Sequence, residues 1–187
     1  MVPLIEMTWE GWIALHPETL VASDDTEYDR NYYLYPYGGY DDIDNALTFF
    51  PVIIDERRPA KERVLGLPFE AGGLAFPFGL LDEEGPTAAV SVEFPGGPVV
   101  VFWDRSSQAA MAFSPALDGS GLTFSVVDDR IMDDQTGSLW RVDGLATEGP
   151  LAGRQLQLRA DAFVAFWFAW PAFYPEIQIW SALSGDF

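Results

Sequence analysis

The amino-acid sequence predicts a mainly β fold: a compact antiparallel β sandwich or barrel-like domain with one or two short helices near the termini. Three observations predict it. Of the 187 residues, 49% are hydrophobic and 15% aromatic, which is enough to build the core of a single domain over residues 1–187. Fourteen prolines and 17 glycines interrupt the chain too often for helices of ordinary length. Short runs rich in β-branched and aromatic residues lie between them, as is typical of strands.

The N-terminal third begins with a short helix. Thr8 can cap a helix over residues 10–15, and His16 followed by Pro17 ends it. Three apolar runs then indicate strands, although Pro51 and Pro77 place parts of them at edges or bends. These predicted strands cover residues 49–54, 64–67 and 74–78.

The middle of the chain contains the strongest hairpin signal. Two apolar runs, residues 88–94 and 99–103, flank the turn sequence Pro-Gly-Gly-Pro at 95–98. The second run has no polar face, which predicts a strand that is covered on both sides. Further short runs separated by turn residues predict four more strands, at 109–113, 122–127, 138–142 and 155–159.

A second short helix is expected over residues 163–173, with Pro175 as its stop. The two helical segments share a motif, two tryptophans three residues apart, an aromatic ring four residues further on, and then Pro-Glu. The motif occupies residues 8–18 and 167–176, and its rings are Trp9, Trp12 and His16 in one copy and Trp167, Trp170 and Tyr174 in the other. We interpret each tryptophan pair as one helix face packed on a sheet, and we expect the two helices in equivalent positions. The chain would then hold one repeat unit, preceded by the closing helix of an earlier unit.

Composition excludes several classes of function. Twenty-nine acidic residues against ten basic ones give a net charge of −19, which repels phosphate backbones and excludes nucleic-acid binding. The absence of cysteine excludes disulfides and thiolate metal sites, and a single histidine excludes a His-rich zinc site. The basic residues are nine arginines and one lysine, Lys61. An acid-rich, lysine-poor chain suits a halophilic source, because salt screens its self-repulsion, and the alternative is simply an acidic, soluble protein.

Neither a signal peptide nor a membrane span is expected. The N-terminus has no basic region followed by a long apolar run. The most apolar stretch, residues 162–174, is shorter than the roughly 20 residues that cross a bilayer.

The motifs carry a family resemblance along nearly the whole chain. Residues 8–21 resemble the TWxxWxxxHPxTxVL segment of the DUF3179 family of bacterial and archaeal proteins, and residues 28–61 resemble its YDR…PYxGYD…DxRxxxK pieces. Three later segments, 134–140, 149–153 and 166–175, are similar to its DxxTGSLW, GPLxG and FWFAWxxFHPxT pieces. Many members are longer, with an export or lipoprotein signal and an earlier unit carrying HEIVND and CPLC motifs. The resemblance therefore implies the C-terminal, cysteine-free unit of the family and an extracytoplasmic location, and it implies no assigned function.

A block of tyrosines is the best candidate for a contact surface. Six tyrosines fall within 13 residues, beside two glycines that make the chain flexible. Such rings can stack on sugars or grip a protein partner, with nearby arginines as anchors. The alternative is that the rings cover a sheet edge and pack on the tryptophans. The predicted contact residues are Tyr32, Tyr33, Tyr35, Tyr37, Tyr40, Arg30 and Arg57, with Arg58 close by in sequence.

Two acidic patterns are candidates for chemistry. Asp41, Asp42 and Asp44 bring carboxylates close together as calcium requires, but the later glycine and bidentate glutamate of an EF-hand are missing. A solvated acidic loop is the favoured alternative, and no cofactor is expected. Glu18 and Glu176, placed alike by the repeat, are the only candidates for a pair of glycosidase carboxylates.

The predicted function is that of a non-catalytic binding or assembly module, acting with a protein partner or a second copy. Two alternatives stay open. One is a carboxylate- or calcium-dependent enzyme acting on carbohydrate. The other is a peripheral subunit that lays residues 163–174 against a membrane complex.

Overall fold

The computed structural model describes residues 4–49 and 53–181, and the fold over these residues is mainly β, as predicted. Three short helices accompany fourteen strands. The helices are α1 (Trp9–Leu15), α2 (Phe78–Glu83) and α3 (Ala169–Phe173). The strands are β1 (Arg63–Phe69), β2 (Gly72–Pro77), β3 (Thr87–Val92), β4 (Val99–Asp104), β5 (Ala109–Ser114), β6 (Ala116–Leu117), β7 (Ser120–Gly121), β8 (Phe124–Val127), β9 (Arg130–Asp133), β10 (Leu139–Trp140), β11 (Ala146–Glu148), β12 (Gln157–Leu158), β13 (Phe163–Phe166) and β14 (Glu176–Ile179).

Three four-stranded sheets stack as layers. Sheet I has the strand order β13-β1-β2-β14, sheet II the order β12-β5-β4-β3, and sheet III the order β11-β10-β9-β8. Phe76 of sheet I and Trp103 of β4 share one hydrophobic cluster. Phe102, on the opposite face of β4, shares a second cluster with Trp140 of sheet III. Sheet II is thus the middle of a sandwich, and none of the described sheets closes into a barrel.

The hairpin predicted in the middle of the chain is confirmed. Strands β3 and β4 pair antiparallel from Val92 opposite Val99 to Thr87 opposite Asp104. Gly96 and Gly97 in the turn have φ values of 95° and 113°, which side chains with a Cβ rarely adopt. Residues 99–103 are all buried, because the two faces of β4 point into the two clusters. The strand is covered on both sides, as its unbroken apolar run predicted.

The predicted helix over residues 163–173 is wrong in its first part. Residues Phe163–Phe166 form β13, which pairs antiparallel with β1, and α3 is only five residues long. Along β13 the side chains alternate, with Phe163 and Ala165 against the outer cluster of sheet I and Val164 against the inner one. Because both faces of this segment are covered, polar and apolar residues do not alternate along it. The hydrophobic pattern of the sequence therefore cannot distinguish a strand from a helix here.

Sheet I is also not wholly antiparallel, because β14 runs parallel to β2. Strands β13 and β14 run in the same direction at opposite edges of this sheet. Two such strands need a crossover connection, and α3 provides it by lying across the outer face of β1 and β2. This topology buries Trp167 and Trp170 between the crossover and the sheet.

Two smaller differences from the prediction concern residues 78–83 and residues 49–54. Helix α2 follows Pro77, where a bend was predicted, and buries Phe78 and Leu81 three residues apart on one face. The strand predicted at 49–54 includes residues 50–52, which lie outside the described part, and residues 53 and 54 are not in a strand.

The two copies of the tryptophan motif end their helices in the same way. His16 and Tyr174 have backbone angles of −133°, 69° and −129°, 76°, respectively. Their N–H groups donate to the carbonyls of Trp12 at 2.8 Å and Trp170 at 2.7 Å. In each copy the terminal ring also packs on that tryptophan, at centroid distances of 4.4 Å and 5.7 Å. The repeated spacing therefore encodes a common helix end.

The surroundings of the two copies differ, so the expected equivalence of their positions is wrong. Helix α3 packs on sheet I, whereas α1 buries no residue and lies against the turn between β4 and β5. There the Thr8 N–H donates to the carbonyl of Ser107 at 2.8 Å, and a Cβ on Gly11 would lie 2.3 Å from that of Ser107. Thr8 caps α1 as predicted, its hydroxyl accepting from Gly11 N–H at 3.2 Å.

Candidate functional site

The predicted tyrosines belong to a long surface segment without helix or strand, residues 20–49, which we call the tyrosine segment. Side-chain oxygens hold its local turns, since Asn31 accepts from the Tyr33 N–H at 3.0 Å and Asp42 from the Asp44 N–H at 3.0 Å. The Asn45 amide reaches back to the Gly39 carbonyl at 2.7 Å. Asn and Asp favour such turns because they mimic a backbone hydrogen bond.

Four of the five predicted contact tyrosines are exposed. The exposed fraction is 89% for Tyr33 and 60% for Tyr37, and Tyr32 and Tyr35 are about half exposed. The Tyr33 hydroxyl donates to Asp24 at 2.5 Å, and this bond raises the pKa of Tyr33 because it holds the phenol proton. Tyr40 is partly buried instead, stacked on Phe49 at a centroid distance of 4.2 Å.

The structure does not bring the two predicted arginine anchors together. Arg30 is exposed within the tyrosine segment. Arg57 instead supports the C-terminal motif: it pairs with Asp55 at 2.8 Å, donates to the Ile177 carbonyl at 3.1 Å and lies 5.1 Å from the Trp167 ring centroid. The hydrogen bond from Arg57 holds the pKa of Asp55 below its ordinary value.

The predicted acidic sites lie apart from one another. Asp41, Asp42 and Asp44 are exposed, and within the described ranges no group of three or more His, Asp or Glu side chains converges as a metal site would. Glu176 lies beside Glu70 and Glu93 at a cavity of about 310 Å³ near the turn after β1. Glu18 is not among the residues that line that cavity.

A larger cavity, of about 710 Å³, lies where the start of β1 meets α2 and the end of β4. We call it the Lys61 cavity. It brings together an apolar wall and several charged groups from distant parts of the sequence. Its lining residues are Glu6, Asp41, Ile43, Lys61, Glu62, Arg63, Phe78, Gly79, Asp82, Trp103, Gln108 and Phe166.

Lys61 is buried at 2% exposure, and its Nζ has no hydrogen-bond partner. Three rings surround this ammonium, with centroids 3.0 Å away for Tyr40, 4.8 Å for Phe168 and 5.4 Å for Phe166. A desolvated cation–π contact contributes about 2 kcal/mol. Removing an ammonium from water costs several kcal/mol, and contacts with three rings are of comparable size.

Trp103, which lines this cavity and another of about 330 Å³ beside β9 and β10, carries a second unsatisfied donor. Its side chain is 1% exposed, and its Nε1 has no hydrogen-bond partner. A buried donor without an acceptor costs about 1–3 kcal/mol. In the described part of the chain, two buried side-chain nitrogen or oxygen atoms have no hydrogen-bond partner, and they are Lys61 Nζ and Trp103 Nε1. Both residues border the Lys61 cavity.

Most other charges on the cavity wall are already paired. The Glu62 carboxylate accepts from Arg58 at 2.6 Å through each oxygen and from the Gly79 N–H at 3.1 Å. Arg63 donates to Gln108 at 2.5 Å and lies 3.4 Å from the Glu6 carboxylate. Asp82 pairs with Arg105. The one described wall carboxylate outside these pairs is Asp41, which is exposed, and the Lys61 ammonium has no hydrogen-bond acceptor among the described residues.

Sequence reasoning did not identify Lys61 or Trp103 as site residues. The available signal for Lys61 was that it is the only lysine of the chain. Trp103 gave no signal, because an indole at the end of a buried strand is an ordinary core residue.

No helix among the described residues has both the length and the apolar character needed to cross a membrane. Searches of curated proteins and of solved structures give no match to the chain. The model of one protein family does match, over residues 1–177 of 187. The chain therefore belongs to the family DUF3179, described as a protein of unknown function.

Proposed function

We propose that this protein is a non-catalytic binding module that joins an assembly through its tyrosine segment. The distribution of exposed apolar side chains supports this proposal. Of the 18 large hydrophobic side chains exposed among the described residues, 11 lie in the tyrosine segment, between Leu20 and Phe49. Grouped exposed apolar groups mark interaction surfaces, whereas scattered ones do not. Tyrosine in particular is enriched at protein interfaces, since its ring buries a large area and its hydroxyl stays hydrogen-bonded.

The charge of this surface favours a different protein over a second copy. Residues 23–45 carry seven acidic side chains and one arginine, Arg30. Two copies, each with a net charge of −19, repel one another. A partner with a basic surface complements both the rings and the carboxylates, and its association is steered by attraction that salt screens.

The test is native mass spectrometry and light scattering on the protein purified from its source at low and high salt. We expect a complex with a basic partner protein that dissociates more readily as salt rises. Replacing Tyr33 and Leu34 with serine removes two exposed apolar groups from the surface. This double variant is expected to lose the partner.

The matched control replaces Val126 and Val127, two exposed valines of β8, with serine. It removes apolar area elsewhere and is expected to keep the partner. A stable monomer that never co-purifies with a partner contradicts the proposal, as does equal loss of the partner in both double variants.

The carbohydrate-active alternative is favoured by one observation, the grouping of Glu70, Glu93 and Glu176 with Phe69 and Phe94 at the 310 Å³ cavity. Carboxylates beside aromatic rings are what glycoside binding and hydrolysis use. A glycan array tests binding, and Glu176→Gln tests catalysis. If the wild type hydrolyses no glycan and the Glu176→Gln variant still binds glycan, a sugar-binding role is favoured over an enzymatic one.

A further inference from the structure

The Lys61 cavity contains two buried donors that no group of the described chain satisfies. They are the Nζ of Lys61 and the Nε1 of Trp103. Buried polar groups in proteins are almost always hydrogen-bonded, so each exception calls for a physical explanation. Because both residues border one cavity, an acceptor bound in that cavity would satisfy both donors.

The ammonium determines the charge of that ligand. Lys61 offers three N–H donors and no acceptor, and the rings of Tyr40, Phe166 and Phe168 satisfy it electrostatically without accepting a conventional hydrogen bond. The other wall cation, Arg63, is already engaged with Gln108 and Glu6. Lys61 and Asp41 are the described wall charges outside the ion pairs, and Asp41 is exposed whereas Lys61 is buried, so the place for a negative charge is next to Lys61.

The rest of the wall limits the ligand further. Asp41 borders the cavity as an exposed carboxylate, and the whole chain carries a net charge of −19. Each additional negative charge on a ligand therefore meets repulsion. Ile43, Phe78 and Phe166 provide an apolar wall, and the volume of about 710 Å³ lies within the range of small-molecule sites.

We propose that the Lys61 cavity binds a small monocarboxylate with an apolar body. Its carboxylate accepts hydrogen bonds from the Lys61 ammonium, with the Trp103 indole N–H as the second donor. Its apolar body packs against Phe78, Phe166 and Ile43. A phosphate is disfavoured by its second charge, and a neutral amide lacks the charge that pairs with the ammonium. Tyr40, Asp41 and Ile43 belong to the tyrosine segment, whereas Lys61 and Trp103 lie outside it, so variants of Lys61 and Trp103 test this proposal separately from the partner surface.

The test is titration calorimetry of the full chain with benzoate and 3-phenylpropionate, with benzamide and inorganic phosphate as controls. We expect saturable binding of at least one carboxylate, roughly tenfold or more tighter than either control. In a protein labelled with ¹⁵N, the indole N–H signal of Trp103 is expected to shift with the same saturation curve.

Three variants link the binding to the named residues. Lys61→Met replaces the ammonium by an apolar group of similar length, and it is expected to stay folded and to weaken carboxylate binding roughly tenfold or more. Trp103→Phe keeps a ring but removes the indole donor, and it is expected to weaken binding to a smaller extent. Asp41→Asn removes the competing carboxylate and is expected to tighten binding.

Urea unfolding of each variant confirms that it is folded. If Lys61→Met fails to fold, Trp103→Phe and Asp41→Asn still decide the question by the opposite signs of their effects. The proposal is overturned if the folded protein binds neither carboxylate, or if benzamide and phosphate bind as tightly as the carboxylates. It is also overturned if the folded variants leave the affinity unchanged.

Discussion

At the scale of single residues, Asp133 is the best-satisfied buried charge of the fold. It is fully buried at the end of β9, and its carboxylate accepts from the Thr136 N–H at 2.7 Å, the Ser138 N–H at 3.1 Å and the Trp140 Nε1 at 3.0 Å. Burial by itself raises the pKa of Asp133. The hydrogen bonds outweigh burial and hold that pKa below its ordinary value of 3.8.

We predict that Asp133→Asn lowers the free energy of unfolding by about 3 kcal/mol, because the amide presents an N–H₂ group to donors that need an acceptor. Urea denaturation at pH 7 measures this. Asp128→Asn is the matched control at an exposed turn position with φ of 50°, which asparagine tolerates, and it should leave the free energy nearly unchanged. An equal effect of both substitutions would contradict this explanation of the role of Asp133.

The same site predicts how stability depends on pH. A carboxyl group whose pKa is lower in the folded state stabilises the fold above its unfolded pKa. This contribution is lost as pH falls below about 3.8 and through the lower, folded pKa of Asp133. Wild-type melting temperatures between pH 5 and pH 2 should therefore fall more steeply than those of Asp133→Asn. Parallel curves would contradict this assignment.

We expect no calcium to bind at the acidic loop that contains Asp41, Asp42 and Asp44. Asp42 already accepts from the Asp44 N–H, and the three side chains are exposed. Calcium needs six to eight converging oxygens. We expect calorimetric titration with Ca²⁺ after chelation to give no heat and no rise in melting temperature. A saturable heat that disappears in Asp42→Asn would show that calcium binds there.

Sequence analysis did not single out Asp133, which directly precedes the family-like stretch 134–140 and accepts hydrogen bonds from Thr136, Ser138 and Trp140. Successive strand residues point to opposite faces, so choosing between neighbours requires knowing which face of β9 is covered.

At the scale of elements, the two tryptophan motifs separate local from tertiary information. The helix ends match because the terminal ring and the following proline act within a few residues. Burial does not match: Trp167 is fully buried, whereas Trp9, its counterpart in the first motif, is 55% exposed. The spacing of the motif cannot report burial, since burial depends on the crossover that places α3 over sheet I.

We predict that Trp170→Ala lowers the free energy of unfolding by about 3–5 kcal/mol, as expected for truncating a buried indole. Besides its packing, Trp170 donates from Nε1 to the Val64 carbonyl at 3.2 Å. Trp9→Ala, at an exposed position of the other motif, should change the free energy by less than about 0.5 kcal/mol. Chemical denaturation of both variants checks this, and equal losses would mean that α1 is buried after all.

Gly66 provides a second test of the contact between α3 and sheet I. A Cβ at Gly66 would lie 2.3 Å from atoms of the Trp170 ring. We predict that Gly66→Ala costs about 1–3 kcal/mol, because the indole must move out of a packed interface. Gly121→Ala, at a strand position with open space around it, is the control and should cost almost nothing. A thermal melt of each variant gives the comparison.

At the scale of the whole molecule, three stacked sheets leave sheet II covered on both faces, and a net charge of −19 lies over this body. Because like charges repel, the folded chain carries a self-repulsion that salt screens. We predict that the melting temperature rises between low salt and molar KCl, by about 2–4 °C for each kcal/mol gained. No gain over this range would remove the halophilic interpretation.

Amino-acid sequence alone determined the mainly β class, the family, the central hairpin, the cap of α1 at Thr8 and the common end of the two motif helices. Each of these depends on residues that are close in the chain, or on composition. Tertiary structure alone decided that residues 163–166 form a strand, that β14 runs parallel to β2, and that Lys61 and Trp103 border one cavity. These features join residues that are far apart in the chain, and no local spacing or propensity encodes which distant faces come into contact.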